Sequence, residues 1–179
     1  AIFRQSLSAA SPALKNASEV LFVLEKNKIE TIDPLNSINL ILDSIQDPGN
    51  LGTIIRIADW FGINNIFCSP QTVELYNPKV LQSTMGSFLR VNTIYTPLNE
   101  LILKYSNIPC YAALLEGENV YNINFPKEMF LIIGNESKGI SDSLLNDISY
   151  SPVSIPRFGN AESLNASVAA GIFCALIRK

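Results

Sequence analysis

Histidine is absent from all 179 residues, and its absence removes more chemistry than any other feature of the composition. Ser-His-Asp and Cys-His nucleophilic sites, histidine-ligated zinc centres and an imidazole proton shuttle are excluded. Acid–base work must fall to other groups, and no metal site is expected. Cysteine is scarce: Cys68, Cys110 and Cys174 lie far apart, form no C-x-x-C pair and sit among apolar or small neighbours, so they read as buried, reduced thiols. No window reaches the roughly 18 uninterrupted apolar residues of a membrane span, and the opening residues lack a charged start followed by a long apolar run. The sequence therefore reads as a soluble, cytoplasmic protein without a membrane partner. Positive charge is also short: 13 Lys and Arg face 16 Asp and Glu, for a net charge of −3. Domains that bind nucleic acid mainly through phosphates carry a basic stripe instead. Strong nonspecific RNA affinity is not expected, although Arg4, Lys15, Lys79, Arg90, Lys138 and Arg157 can still converge on one face.

What is present is apolar sequence, 47% of the chain, enough for one compact domain with a full core. Residues 1–34 are mixed, broken by Pro12 and Pro34, with one apolar run, Val20 to Leu24. They read as a linker or a remnant of an upstream RNA-binding region, leaving 35–179 as the main domain. The run Ile38 to Ile45 is continuously apolar before it turns polar, as in a strand buried on both faces of a parallel sheet. Further strands are expected at Asn65 to Cys68, Val91 to Tyr95, Cys110 to Leu115, Phe130 to Ile133 and Val153 to Ile155, with helical stretches between several of them. Such alternation implies a parallel α/β sheet. A last helix is expected from about Ser163 to Arg178, with Leu164, Val168, Ile172, Ala175 and Leu176 on one face and small residues nearby that permit close packing.

Ligands of open α/β sheets sit beyond the carboxyl ends of the strands, so the loops after the buried runs are where chemistry is sought. The first, Asp47-Pro48-Gly49-Asn50-Leu51-Gly52, breaks the first strand and opens a helix that Gly62 can stop; Arg56 falls in its second turn, where it can face a phosphate. The alternative is that Asn50 only caps the helix and Arg56 is a solvated side chain. The second loop, Gly134-Asn135-Glu136-Ser137-Lys138-Gly139, reads either as a ligand loop or as a polar strand-to-helix connection; it does not fit a P-loop, which ends in Gly-Lys-Ser/Thr. The third runs from Ile155 to Ser167, and Ser163 or Asn165 can cap the last helix. Three polar loops after three buried strands point to a nucleotide-like pocket, with the class of function open.

Taken in order, D-P-G-N-L-G-T-I-I-R, L-I-I-G-N-E-S-K-G-I and V-S-I-P-R-F-G-N-A-E-S-L-N-A-S-V-A-A-G resemble the three signature motifs of the SpoU/TrmH methyltransferases, within the wider SPOUT group, over about residues 38 to 179. The resemblance implies a Rossmann-like α/β fold, a parallel sheet with helices on both faces, whose C-terminal segment forms a deep trefoil knot. It implies transfer of a methyl group from S-adenosylmethionine to a ribose 2′-hydroxyl of rRNA or tRNA by a homodimer. The cofactor would be held by main-chain groups near Leu115, Gly117, Gly134, Ile155 and Leu164. Asn50, Arg56, Glu136, Ser163 and Asn165 match the family's functional polar residues, with Arg56 closest to the chemistry. The same resemblance leaves two rivals, a base methyltransferase of the wider group and a noncatalytic RNA- or nucleotide-binding module of the same fold. Arg157 stands where relatives often carry a hydrophobic residue.

Overall fold

The computed structural model describes residues 32–179; the apolar run Val20 to Leu24, and nearly all of the expected linker 1–34, lie outside them. Residues Thr31–Lys179 form one compact unit. Its centre is a six-stranded sheet in which every pairing is parallel, in the order β3-β2-β1-β5-β4-β6. The strands are β1 Ile38–Leu42, β2 Asn65–Cys68, β3 Asn92–Tyr95, β4 Cys110–Asn119, β5 Met129–Ile133 and β6 Ser151–Ser154. The helices are α1 Pro48–Trp60, α2 Pro78–Thr84, α3 Leu98–Lys104, α4 Asp142–Asp147 and α5 Ala166–Ile177.

The continuous apolar runs become the middle of the sheet because only strands covered on both faces can bury every side chain. All five residues of β1 and all five of β5 are buried. Leu40 and Leu42 of β1 join Leu51, Ile54, Ile55, Ala170 and Phe173 in one core cluster, while Ile41 joins Phe67, Phe130, Leu98, Ile102 and Leu144 in a second. Thus α1 and α5 cover one face and α3 and α4 the other. At the amino ends of three adjacent strands, Asn92 Nδ2 donates to Asn65 Oδ1 and Asn65 Nδ2 to Asn39 Oδ1, each at 3.1 Å. These residues are direct partners in the strand register. An amide ladder of this kind, buried at Asn39 and Asn65 and half-buried at Asn92, opposes slippage, because a one-residue shift would break its hydrogen bonds and strand polar groups in the core.

The start and stop of α1 follow from local chemistry. Pro48 opens the first turn, and the Asp47 carboxylate accepts the Asn50 N–H at 2.8 Å. At the other end Gly62 takes φ +64, and its N–H and that of Ile63 return to the carbonyls of Asp59 and Ala58, a Schellman closure. The cap is therefore Asp47 and not Asn50, and since the helix begins at Pro48, Arg56 lies in the third turn rather than the second.

The last helix differs from its expected orientation. It is shorter, beginning at Ala166, and its buried residues are Ala166, Ser167, Ala170, Phe173 and Cys174. Leu164, ahead of the helix, and Val168 are exposed, as is Ala175, while Ile172 and Leu176 are half-buried. The sequence is apolar on both sides of this helix, so periodicity could not choose the inward face; the stripe with the small residues won because it lets α5 approach α1. A Cβ placed on Gly171 would sit 3.6 Å from Ile57 Cδ1.

The three cysteines are buried and free, as expected. Removal from water pushes the Cys68 thiol well up and those of Cys110 and Cys174 up to about 12. No described helix is long and apolar enough to cross a membrane, and the described residues contain no cluster of His, Cys, Asp and Glu able to hold a metal ion.

Candidate active site

The order of the strands places the loops after β1, β5, β4 and β6 along one carboxyl edge, and three of those loops are joined by a directed line of hydrogen bonds. Asn165 is the N-cap of α5: its Oδ1 accepts the N–H groups of Ser167 and Val168 and the Ser167 hydroxyl. That acceptor role fixes the Asn165 amide, whose Nδ2 then donates to Asn50 Oδ1 at 2.9 Å. Asn50 is fixed in turn, and its Nδ2 donates to Glu136 Oε1 at 2.6 Å. Each donor points from the helix N-terminus towards the carboxylate, so the bonds polarise one another. Glu136 accepts through one oxygen; among the described residues Oε2 meets no partner.

Of the five polar residues expected in the site, Asn50, Glu136 and Asn165 are thus brought together across 115 residues of sequence. Ser163 is exposed and makes no side-chain hydrogen bond to a described residue. Arg56 is exposed on α1 and has no hydrogen bond or ion pair to any described residue. It is not in polar contact with the Asn50 line. An exposed guanidinium with no partner among the described residues is available to a phosphate. Other basic residues are divided: Arg90 is committed to Asp59 at 2.6 Å, while Lys79, Lys138 and Arg157 are exposed. The Arg90 guanidinium and the Ser87 hydroxyl hold the Asp59 carboxyl below its usual range.

The loop carrying Glu136 is clamped from both sides, by residues that the motifs alone did not single out. Asn135 is buried; its Nδ2 donates to the Ser44 carbonyl at 2.8 Å, while its Oδ1 accepts the N–H groups of Ser137 and Lys138 and the Ser137 hydroxyl. Beyond the loop, the Ser141 N–H donates to buried Asp43 at 2.8 Å. An Asp closing an apolar strand and an Asn opening a turn were the available signals, since both types lock loops through their own backbone. Gly134 explains the first position of that loop: a Cβ there would lie 2.3 Å from Gly139 C and Ile140 N.

Of the positions expected to hold a cofactor, Leu115 and Gly117 lie within β4, whereas Gly134, Ile155 and Leu164 lie in the segments after β5 and β6. Strand β4 shifts register against β6 between Ala113 and Glu118, both of which pair with Val153. The intervening segment projects, leaving Leu115 76% exposed. Gly117 returns the chain to β6, where a Cβ would meet Pro152 and Val153 backbone at 2.7 Å, and its carbonyl accepts the Ser154 hydroxyl at 3.0 Å. Ile155 is half-buried and Leu164 exposed. A cavity of about 240 Å³ is lined in part by Asp43, Ser69, Pro97, Ser141 and Asp147; none of the five polar site residues lines it.

The chain is 36% identical over 136 residues to the 23S rRNA (guanosine(2553)-2′-O)-methyltransferase of Bacillus subtilis, covering 74% of this chain and 54% of that protein. It is 30% identical over 185 residues to a 23S rRNA (guanosine-2′-O-)-methyltransferase of Neisseria meningitidis, covering 97% of this chain and 73% of that protein. The chain therefore spans about half the length of the Bacillus relative. Among solved structures, the SpoU methyltransferase AviRb from Streptomyces viridochromogenes, in complex with the cofactor AdoMet, superposes with a TM-score of 0.72 at 28% identity, covering 80% of this chain and 60% of that one. The model of the SpoU rRNA Methylase family matches residues 37–175, which takes in all three clustered loops: this chain belongs to the SpoU rRNA methylase family.

Proposed function

We propose that this chain transfers a methyl group from S-adenosylmethionine to a ribose 2′-hydroxyl of rRNA or tRNA, and that residues 35–179 form the catalytic domain. The observation that carries the reading is the line Asn165, Asn50, Glu136, which gathers the three motifs into one polar site at the carboxyl edge of the sheet. The names of the Bacillus and Neisseria relatives, both rRNA 2′-O-methyltransferases, support the reaction, and the AdoMet complex of the Streptomyces enzyme supports the cofactor.

The residues present fit that cofactor. Leu115, in the bulged part of β4, and Leu164, ahead of α5, expose apolar surface, and Gly117 and Gly134 let main chain pack on main chain where a Cβ would clash, which holds that backbone in place. Main chain near Leu115, Gly117, Gly134, Ile155 and Leu164 would bind it; when bound, it supplies an electrophilic methyl group. The protein's task is then alignment of the hydroxyl and removal of its proton. A guanidinium is a poor general base, so Arg56 acts by holding the RNA phosphate and stabilising developing charge while the phosphate or water takes the proton. Asn50, Glu136, Ser163 and Asn165 orient the reacting groups.

The route of the chain supports a C-terminal trefoil knot. After β6 at the sheet edge the chain does not continue outward; it returns past β4 and β5 so that Asn165 reaches Asn50 and α5 packs on α1. The exposed Val168 and Leu164, with half-buried Ile172 and Leu176, support a homodimer that covers this stripe. Sedimentation at micromolar concentration is expected to give a dimer; a monomer would count against it. The reading itself is tested by calorimetry with S-adenosylmethionine and its demethylated product. One site per chain and a raised Tm are expected, because the ligand binds only the folded state. Folded protein that binds neither would remove the proposal.

A further inference from the structure

Among the described residues no large apolar side chain is more exposed than Phe158, at 95%. It lies in the segment between β6 and the cap of α5, which is exposed from Arg157 through Asn165. The segment is held at both ends: Ser154 Oγ donates to the Gly117 carbonyl at 3.0 Å, and Asn165 Nδ2 to Asn50 Oδ1 at 2.9 Å. Between them Arg157 Nη1 donates to the Ala161 carbonyl at 3.4 Å, a brace that spans Phe158. The ring is therefore presented to solvent by a tethered loop that ends in a residue of the site.

The cofactor and dimer readings above use the exposed apolar surface of Leu115 and Leu164; neither uses Phe158. The residues flanking the ring in the chain, Arg157, Gly159, Asn160, Ala161, Glu162 and Ser163, are polar or small, whereas the buried centre of a protein–protein contact is a contiguous apolar patch. A nucleobase fits better: its faces are apolar, its edges polar, and a phosphate lies within reach of a neighbouring guanidinium. Resting on the RNA-methyltransferase reading above, we propose that Phe158 stacks on a base of the substrate RNA at or next to the methylated nucleotide, with Arg157 beside it for the adjoining phosphate. Phe158 is thereby a substrate-positioning residue that acts on the RNA and not on the cofactor.

Steady-state methyl transfer to an unmodified 23S rRNA transcript, with saturating S-adenosylmethionine, tests this in the wild type and in Phe158→Ala, Phe158→Leu and Phe158→Tyr, alongside calorimetric cofactor affinity for each. Loss of one aromatic stack is expected to raise KM for RNA about tenfold or more in Phe158→Ala. Phe158→Leu should be equally impaired because it lacks a π face, Phe158→Tyr should stay near wild type, and cofactor affinity should be unchanged in all three. Wild-type KM in Phe158→Ala, rescue by leucine, or a fall in cofactor affinity would each overturn the proposal, the last by placing the ring over the cofactor. A wild-type chain that binds cofactor and transfers no methyl group to this transcript or to an unmodified tRNA transcript would remove the underlying reading and this inference with it.

Discussion

Replacing Arg56 by alanine is expected to lower methyl transfer by about 10²-fold or more, the range for removing a positioned group from a reaction site, while the fold and S-adenosylmethionine binding persist. The fold should tolerate the change because Arg56 is exposed and bonded to no described residue, so no interaction among them is lost and alanine is a better helix former. Lysine should rescue little: it keeps the charge but lacks the planar fork that holds a phosphate and orients a hydroxyl at once. A solvated surface arginine predicts near-normal rates for both variants. Single-turnover transfer at saturating cofactor separates the two, and wild-type rates in Arg56→Ala would end the assignment.

Gly134→Ala is expected to damage both stability and binding. The added methyl would meet main-chain atoms of Gly139 and Ile140 at 2.3 Å, with the Gly139 carbonyl oxygen at 2.5 Å. Those atoms belong to the clamped loop and cannot rotate aside like a side chain. The loop must move by about an ångström, which strains the Asn135 tether to Ser44 and shifts Glu136 away from Asn50. A cost of about 3 kcal/mol, the upper range for overpacking, is expected, together with loss of measurable cofactor affinity. Chemical denaturation and calorimetry on the same preparation check both; wild-type values in each would show that the loop yields freely and is not what holds Glu136.

Much of this architecture was legible because burial on two faces leaves a direct mark. The runs that became β1 and β5 are apolar at every position, and Pro48, Asp47 and Gly62 announce the ends of α1 through fixed φ, a short acceptor side chain and φ above zero respectively. The sheet order was not legible, since periodicity says which residues are buried but not against which strand. Nor was the inward face of α5, a helix apolar on both sides. In the site, the three motifs gave Asn50, Glu136 and Asn165, yet not that they bond to one another, because that depends on the return of the chain from the sheet edge. Asn50 was read as a possible cap when Asp47 takes that role and leaves the Asn50 side chain free for Glu136. The roles of Asp43 and Asn135 were not legible for a related reason: each works by gripping backbone, and sequence does not show which backbone lies within reach.

The most direct test is where the methyl group goes. The chain is incubated with S-adenosylmethionine labelled in its methyl group and an unmodified 23S rRNA transcript, alongside an unmodified tRNA transcript, and the RNA is digested to nucleosides. The account predicts label in a 2′-O-methylated nucleoside, reduced about 10²-fold or more in Arg56→Ala. Label on a nucleobase would make this a base methyltransferase of the same fold, and cofactor binding without transfer to either RNA would make it a binding module; either result contradicts the account.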